Sequence, residues 1–205
     1  ILHSASIFFS LSLAAATTAQ APLTPEQFLG RTAGAAFTPH HKVVDYCLHV
    51  ATESEHAELV DYGTTPEGRP LQVLIFSSED NLNRLEELRK QHLNPNASDF
   101  PVVWLSYDVH GNEAVCTEAA LEVIGKLATG GPEVESWLQE MAVIIDPCLN
   151  PDGHERYVNF FNGQVGAQPN PDPNSSQHDE PWPGGRYNHY LYDLNRDWAW
   201  LVQPE

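Results

Sequence analysis

The spacing of apolar and polar residues predicts helices and strands in the first half of the chain. In residues 40–54, apolar side chains recur at helical intervals, which predicts an amphipathic helix. Residues 56–78 have the pattern of two strands joined by a turn containing Pro and Gly. Residues 78–93 open with a serine and carry leucines on one helical face, so a serine-capped helix is expected there.

The second half of the chain also alternates between predicted strands and predicted helices. Nearly unbroken apolar runs at 101–107 and 141–147 predict buried central strands. Helices are expected in residues 113–131, 134–141 and 154–163. Residues 163–185 are rich in Pro, Gly, Asn and Asp, and a loop of this length inside a domain is usually functional or disordered. The predicted fold class is α/β, with a mixed, largely parallel sheet flanked by helices.

The N-terminus has a different character. Residues 7–16 form an apolar and small-residue run that is too short to span a bilayer, and Thr17, Thr18 and Ala19 follow it with small residues suited to a cleavage after Ala19. We therefore expect a partial signal peptide at 1–20 and a folded unit at 21–205, although a buried N-terminal helix remains an alternative. Export predicts a secreted or periplasmic protein in an oxidising compartment.

Composition narrows the function class. The 205 residues are 41% hydrophobic, enough for one domain with its own core. The formal net charge of −18 argues against nucleic acid and anionic membrane surfaces as partners, because both require a basic surface. The three cysteines, Cys47, Cys116 and Cys148, allow at most one internal disulfide, with the pairing undefined. Asn96 and Asn174 open glycosylation sequons, which matter only in a eukaryotic secretory route.

The first candidate for chemistry is His110-x-x-Glu113. A chain with 10 His and this much Glu contains about one such pair by chance, so its position must carry the argument. His110 follows a predicted strand and Glu113 opens the next helix, which is the crevice where ligands bind in open α/β sheets. Gly111 lets the backbone turn between them. A stabilising interaction of Glu113 with the helix dipole competes with the metal-site hypothesis.

Three arginines stand alone after Lys126: Arg156, Arg186 and Arg196. Arginine presents a planar fork that matches a carboxylate or a developing oxyanion. For a single arginine, pairing with an acidic neighbour is the simpler explanation. That explanation is weaker for Arg196, because Asn195 precedes it and the two side chains together match an anion.

These motifs resemble a known family. HGNEAV at 110–115, NPDG at 150–153 and GRYNHYLYDLNRDW at 185–198 resemble the zinc metallocarboxypeptidases, the carboxypeptidase A/B-like peptidases. The HGNE form is most similar to the regulatory carboxypeptidase branch, and the aromatic-rich segment to large secreted bacterial members. The resemblance covers roughly residues 60–205.

The resemblance implies a role for each matching residue. His110 and Glu113 would be ligands of one Zn²⁺ ion, and Asp193 would orient His110. Asn195 and Arg196 would hold the terminal carboxylate of the substrate, and Arg186 would polarise the scissile carbonyl. Arg156 matches no position of the family motifs. The expected activity is hydrolysis of the C-terminal peptide bond of peptides or proteins.

The resemblance also implies that part of the site lies beyond Glu205. In the family, the third zinc ligand and the catalytic Glu lie further along the chain, and neither His178 nor His189 matches a ligand position. We therefore expect residues 21–205 to be the N-terminal portion of a catalytic domain whose C-terminal part is missing, and this fragment alone to be inactive. Two alternatives remain: a same-fold zinc amidohydrolase acting on acyl-amino acids, and a non-catalytic carboxypeptidase-like binding module. The oligomeric state and the preferred C-terminal side chain are not predicted.

Overall fold

The computed structural model of the chain describes residues 21–94 and 100–205. The predicted signal peptide and the sequon at Asn96 lie outside these residues. The helices are α1 Pro25–Leu29, α2 His40–Glu53, α3 Glu79–Leu82, α4 Leu85–His92, α5 Val115–Thr129, α6 Pro132–Glu140 and α7 Pro151–Gln164. The strands are β1 Ala57–Thr64, β2 Pro70–Phe76, β3 Val102–Ser106 and β4 Ala142–Asp146, and short 3-10 turns lie at Ser176–His178 and Leu194–Arg196.

The four strands form one mixed sheet in the order β1-β2-β4-β3. β1 and β2 form an antiparallel hairpin, β2 pairs antiparallel with β4, and β4 pairs parallel with β3. The α/β class and the mixed sheet are therefore confirmed. The parallel share is smaller than expected, since among the described strands only β3 and β4 run parallel.

The apolar core lies where α2 and α5 cover the central strands. Tyr46 from α2, Leu121 and Ile124 from α5, Phe76 from β2 and Ile145 from β4 are all almost fully buried in one cluster. Each large apolar side chain buried in this way contributes about 1.5–3 kcal/mol. The core therefore fixes α5, which follows the connection carrying His110, and β4, which pairs with the strand before that connection.

The prediction of a buried central strand is wrong for β3. Within the described residues β3 pairs only with β4, and the side chain of Trp104 is 65% exposed. The prediction holds for β4, whose five residues are buried or nearly so. An apolar run shows that the side chains of a strand are nonpolar. It does not show how many other strands pair with that strand, and this explains the error.

Helix boundaries differ from the predictions at two places. The predicted helix at 78–93 is broken after Leu82, and Ser78 caps the first piece as expected by accepting a hydrogen bond from Asn81 N–H. α7 begins at Pro151 rather than near residue 154, since the Asn150 side chain accepts from Gly153 N–H at 2.9 Å and proline occupies the first helical position. The NPDG motif is thus a helix start.

α7 lies directly against the connection that follows β3. Backbone hydrogen bonds extend the parallel pairing beyond the strands, from Leu149 N–H to Tyr107 O and from Asn150 N–H to Asp108 O. A Cβ atom on Gly111 would overlap backbone atoms of Gly153 and the residue after it. Close packing against α7, and not only a tight turn, requires glycine at position 111.

Candidate metal centre

His110 lies four residues past the end of β3, on the connection to α5. The sequence predicted Glu113 in the first turn of α5. In the structure, Glu113 lies two residues before α5 begins. A backbone hydrogen bond from Glu113 N–H to His110 O at 2.8 Å closes the turn between them. This turn places both side chains on the same side of the connection, as the binding of one metal ion by both requires.

The two ring nitrogens of His110 face different carboxylates. Nδ1 lies 3.2 Å from Glu113 Oε1, and Nε2 lies 3.1 Å from Asp193 Oδ1. The His110 side chain is only 10% exposed, whereas that of Glu113 is 54% exposed. The Nδ1 side of the ring therefore faces the open part of the site, and the Nε2 side is held inside.

Asp193 joins His110 to Arg186. Its second carboxylate oxygen accepts a hydrogen bond from Arg186 Nη2 at 2.9 Å. Burial opposes ionisation of Asp193, but hydrogen bonds from Arg186 and His110 outweigh it and hold the pKa of the carboxyl below its usual value. Asp193 is thus kept as an anion between two donors, and the predicted Arg186 lies in the same connected group.

Asn195 and Arg196 follow Asp193 in a 3-10 turn. Asn195 N–H donates to Asp193 Oδ1 at 3.1 Å, and Arg196 Nη1 donates to Asn195 O at 3.1 Å. Both residues are exposed, and Arg196 lines a cavity of about 370 Å³ together with Asp193. The contacts that link this pair to His110 therefore run through Asp193, and the two side chains face solvent.

The donor set fits a zinc ion. Histidine nitrogen and carboxylate oxygen are ordinary zinc ligands, and two such atoms about 2.0–2.1 Å from a tetrahedral ion lie about 3.3 Å apart. The measured 3.2 Å between Nδ1 and Oε1 agrees with this separation. A zinc-bound histidine normally donates its other N–H to a carboxylate, which is the position of Asp193.

Two other groups of side chains also have metal-binding chemistry. They are Asp108 with Cys148 and His154, and Glu67 with Asp152 and His189. In the first, the buried ring of His154 has Asp108 Oδ2 2.6 Å from one nitrogen and Thr38 O 2.9 Å from the other. In the second, Arg69 Nη1 lies 2.6 Å from both carboxylates. Side chains from outside each group also bind its carboxylates: Thr117 O–H donates to Asp108 Oδ2 at 3.0 Å in the first group, and Arg69 pairs with both carboxylates in the second.

The cysteines take no part in the site. Cys47, Cys116 and Cys148 are free thiols, two of them buried. Burial, with nearby Asp108 and Asp146, raises the pKa of the Cys148 thiol well above its usual value. Cys148 therefore stays protonated, and its thiol donates to Asp108 Oδ2 at 3.4 Å.

Sequence reasoning did not identify the residues that hold Arg186 in place. Arg156 Nε donates to Gly184 O at 2.9 Å, and Asn150 Nδ2 donates to Arg186 O at 3.2 Å. The sequence did single out Arg156, because it stands alone among turn residues and aromatics, but this did not identify what Arg156 binds. Its partners are backbone carbonyls, which residue types do not reveal.

None of the helices in the described part of the chain has the length and apolar character needed to cross a bilayer. This finding bears only on those residues.

Comparison with known proteins identifies the family. The family model for zinc carboxypeptidases matches residues 43–205. Carboxypeptidase Z of Mus musculus is 28% identical over 153 residues, covering 73% of this chain and 19% of that protein. Carboxypeptidase E of Caenorhabditis elegans is 29% identical over 147 residues, covering 70% of this chain and 25% of its own length. The chain thus spans about a fifth to a quarter of these relatives.

A solved structure gives the same result for the fold. Carboxypeptidase A from Helicoverpa armigera superposes with a TM-score of 0.52 and 22% identity, covering 78% of this chain and 30% of that one. The His110–Glu113 pair, Asp193 and Arg186 all lie within the residues that the family model matches. The chain belongs to the zinc carboxypeptidase family.

Proposed function

We propose that this chain carries part of the active site of a zinc-dependent carboxypeptidase that hydrolyses the C-terminal peptide bond of peptides or proteins. The observation that carries the proposal is the connected group around His110, whose nitrogens face Glu113 and Asp193 while Asp193 binds Arg186. Residues 21–205 are, in this proposal, the N-terminal portion of the catalytic domain, which agrees with the chain's small share of its relatives' length.

His110 and Glu113 would hold one Zn²⁺ ion. A bound zinc supplies a Lewis acid and a water of lowered pKa. Asp193 keeps the His110 ring in one orientation by accepting from Nε2, so that Nδ1 presents its lone pair outward. The negative charge of Asp193 is balanced by its ion pair with Arg186.

Arg186 is the candidate for binding the scissile carbonyl. One N–H group of its guanidinium is engaged by Asp193, and the side chain is 38% exposed, so a substrate oxygen can reach the others. A preorganised donor of this kind stabilises a developing oxyanion, an effect of about 3–4 kcal/mol in well-studied cases. Arg186 would therefore act mainly in the transition state.

Asn195 and Arg196 are the candidates for binding the terminal carboxylate. Their side chains are exposed beside Asp193, and an arginine with a neighbouring amide offers several donors to one anion. Such a pair recognises a free carboxylate and not an amide. The reaction is then restricted to the last residue of the substrate.

The test compares substrates that differ only at the C-terminus. In the intact protein loaded with zinc, peptides with a free C-terminus should release their last residue, and the same peptides with an amidated C-terminus should react poorly. A chelator should abolish release, and zinc should restore it. Equal turnover of free and amidated peptides would contradict the exopeptidase proposal.

The same experiment separates the two alternatives. An amidohydrolase would release the acyl group from an acyl-amino acid and leave longer peptides intact. A non-catalytic binding module would bind free C-termini without releasing any residue.

The proposed location is secreted or periplasmic, with no nucleic acid as partner. The net charge of −18 supports the second part, and the apolar N-terminal residues support the first. Recovery of the mature protein from the medium or periplasm, with a new N-terminus near residue 20, would test the location.

A further inference from the structure

The segment 184–188, which contains Arg186, has no helix or strand of its own. Buried backbone N–H and C=O groups must still find partners. In this segment most of these partners are side chains from other parts of the chain. Arg186 therefore depends on those side chains for its position.

Arg156 supplies most of these contacts from α7. Its Nε donates to Gly184 O at 2.9 Å, and its Nη2 donates to Asn188 O at 3.0 Å and also to Tyr187 O. One guanidinium thus binds carbonyls on both sides of Arg186. The Arg156 side chain is 25% exposed, so these bonds are largely shielded from water.

Two further side chains complete the attachment. Asn150, the N-cap of α7, donates from Nδ2 to Arg186 O at 3.2 Å and to Val109 O at 3.3 Å. Glu180 accepts from Gly185 N–H at 2.5 Å and from Asn112 Nδ2 at 3.0 Å. Each of these side chains joins the Arg186 segment to the connection that carries His110 and Glu113.

Charge pairing does not explain Arg156. Its acidic neighbour, Glu67, is 3.5 Å from Nη1 and is bound more closely by Arg69 at 2.6 Å. The short, directional bonds of Arg156 go to carbonyl oxygens. A planar fork of five fixed N–H groups can serve several carbonyls at once, whereas the single ammonium of lysine cannot reproduce that geometry.

We propose that Arg156 is a positioning residue for Arg186. It touches no reacting group; it fixes the backbone from 184 to 188 against α7, so that the Arg186 guanidinium is held at Asp193 and beside His110. This inference rests on the proposed carboxypeptidase function for the role of Arg186. The attachment itself is a property of the fold and is tested separately.

The first experiment measures the attachment without using activity. Amide hydrogen exchange is compared in wild type, Arg156→Lys and Arg156→Ala. Exchange in the peptide covering 184–193 should become about tenfold faster in both variants, while the peptides of β2 and β4 stay unchanged. Unchanged exchange at 184–193 in both variants would overturn the proposal.

Arg31→Lys is the matched control. Arg31 is a comparably shielded arginine, 22% exposed, whose guanidinium binds Glu118 of α5 and Thr38. Its replacement removes a fork of the same kind without touching segment 184–188. If Arg31→Lys accelerates exchange at 184–193 as much as Arg156→Lys does, the effect is general loosening and the proposal fails.

The second experiment measures the consequence for catalysis in the intact, zinc-loaded protein. Arg156→Lys should lower kcat by about 10- to 100-fold, because a displacement of about 1 Å can cost 100-fold, while KM and the Kd for zinc stay near wild type. Millimolar guanidinium should raise the kcat of Arg156→Ala several-fold and leave wild type unchanged. A loss of zinc affinity equal to the loss of kcat would instead mean that Arg156 supports the ligands, against the proposal.

The two failures are distinguishable. A wild type that releases no C-terminal residue in the presence of zinc refutes the carboxypeptidase function and, with it, the catalytic role given to Arg156. Hydrogen exchange still decides whether Arg156 orders segment 184–188. Faster exchange combined with unchanged kcat in an active enzyme would refute the positioning role alone.

Discussion

The two ring nitrogens of His110 face two acidic side chains that differ in their exposure to solvent. Nε2 is turned to Asp193 and Nδ1 to Glu113, at similar distances. The less exposed carboxylate, that of Asp193, is 19% exposed and holds Nε2, whereas that of Glu113 near Nδ1 is 54% exposed and leaves room for the proposed metal ion. This difference in exposure would determine which nitrogen is available to the ion.

Arg186→Ala should reduce kcat about 100-fold or more with a smaller change in KM, because its free N–H groups act on charge that develops in the transition state. Steady-state kinetics of the intact protein on a peptide substrate measure both constants. Arg89→Ala, which removes an exposed arginine paired with Glu86, is the control and should leave both unchanged. A change confined to KM would assign Arg186 to ground-state binding instead.

The raised pKa of Asp146, at the end of β4, should make the stability of the protein depend on pH. Burial raises the pKa of this carboxyl to about 6, despite hydrogen bonds from Tyr62 O–H and Cys148 N–H that favour the anion. The folded protein thus binds this proton more tightly than the unfolded chain does. Its contribution to stability is complete below the unfolded pKa near 4 and is lost as the pH rises through 6.

Asp146→Asn should remove this dependence, since an amide can accept from Cys148 N–H and donate to Tyr62 O. Relative to wild type, the variant should gain about 3 kcal/mol of unfolding free energy between pH 4 and pH 7.5, from a pKa shift of about two. Urea unfolding at a series of pH values measures it. Parallel curves for the two proteins would show that Asp146 titrates normally in the folded state.

At the scale of elements, the sequence predicted most segments but not their neighbours. The alternation of apolar residues identified α2, the β1–β2 hairpin and β4, because periodicity reports which face is buried. It also placed β3 in the interior of the sheet, although β3 lies at the edge of the described sheet, beside β4. The pairing of strands depends on contacts distant in sequence, which a local pattern does not contain.

The site was predicted in the same uneven way. His110, Glu113, Asp193 and Arg186, the candidates that the resemblance named, form one connected group, while the roles given to them stay predictions. The attachment by Arg156 was not predicted, since its partners are carbonyl oxygens common to every residue. Roles that depend on the type of side chain can be predicted from the sequence. Hydrogen bonds to backbone groups can be identified only once the fold is known.

α7 offers a direct test of its contact with the site. A Cβ on Gly153, in its first turn, would overlap Gly185 O and approach Asn150 Nδ2 to 2.7 Å, whereas Gly163 near its other end has open space. Gly153→Ala should therefore destabilise the protein by more than 2 kcal/mol, as overpacking against backbone does. Gly163→Ala should be neutral or stabilising by up to about 1 kcal/mol through helix propensity. Chemical denaturation of both variants measures the difference, and similar effects would place α7 away from segment 184–188.

At the scale of the whole molecule, the proposed binding of zinc would be coupled to folding. Asp193, which orients His110, lies 83 residues further along the chain, so the oriented ligand exists only in the folded state. A ligand that binds only the folded state stabilises it by about 2.7 kcal/mol at 100 times its Kd. Zinc should therefore raise the unfolding free energy, and a chelator should reverse the effect.

His110→Ala should weaken this response strongly, because it removes one of the two predicted ligands. His178→Ala is the control, since His178 is exposed and binds Asn170 O in the long loop. Thermal unfolding with and without zinc gives the comparison. Equal stabilisation of wild type and His110→Ala would place the ion at another group, such as that of Asp108 and His154.

The attachment of segment 184–188 to α7 has a consequence for how the chain can vary. Residues 166–174 are exposed and lie between two anchored points, the end of α7 and the contact made by Glu180. The position of Arg186 is set by the contacts of Arg156, Asn150 and Glu180, and not by the length of the chain between α7 and Glu180. Doubling a loop costs only about 0.6 kcal/mol of closure entropy. This stretch is therefore a natural place to graft a peptide tag, a reporter domain or an affinity handle onto the protein, because the inserted residues would extend into solvent without moving Arg186.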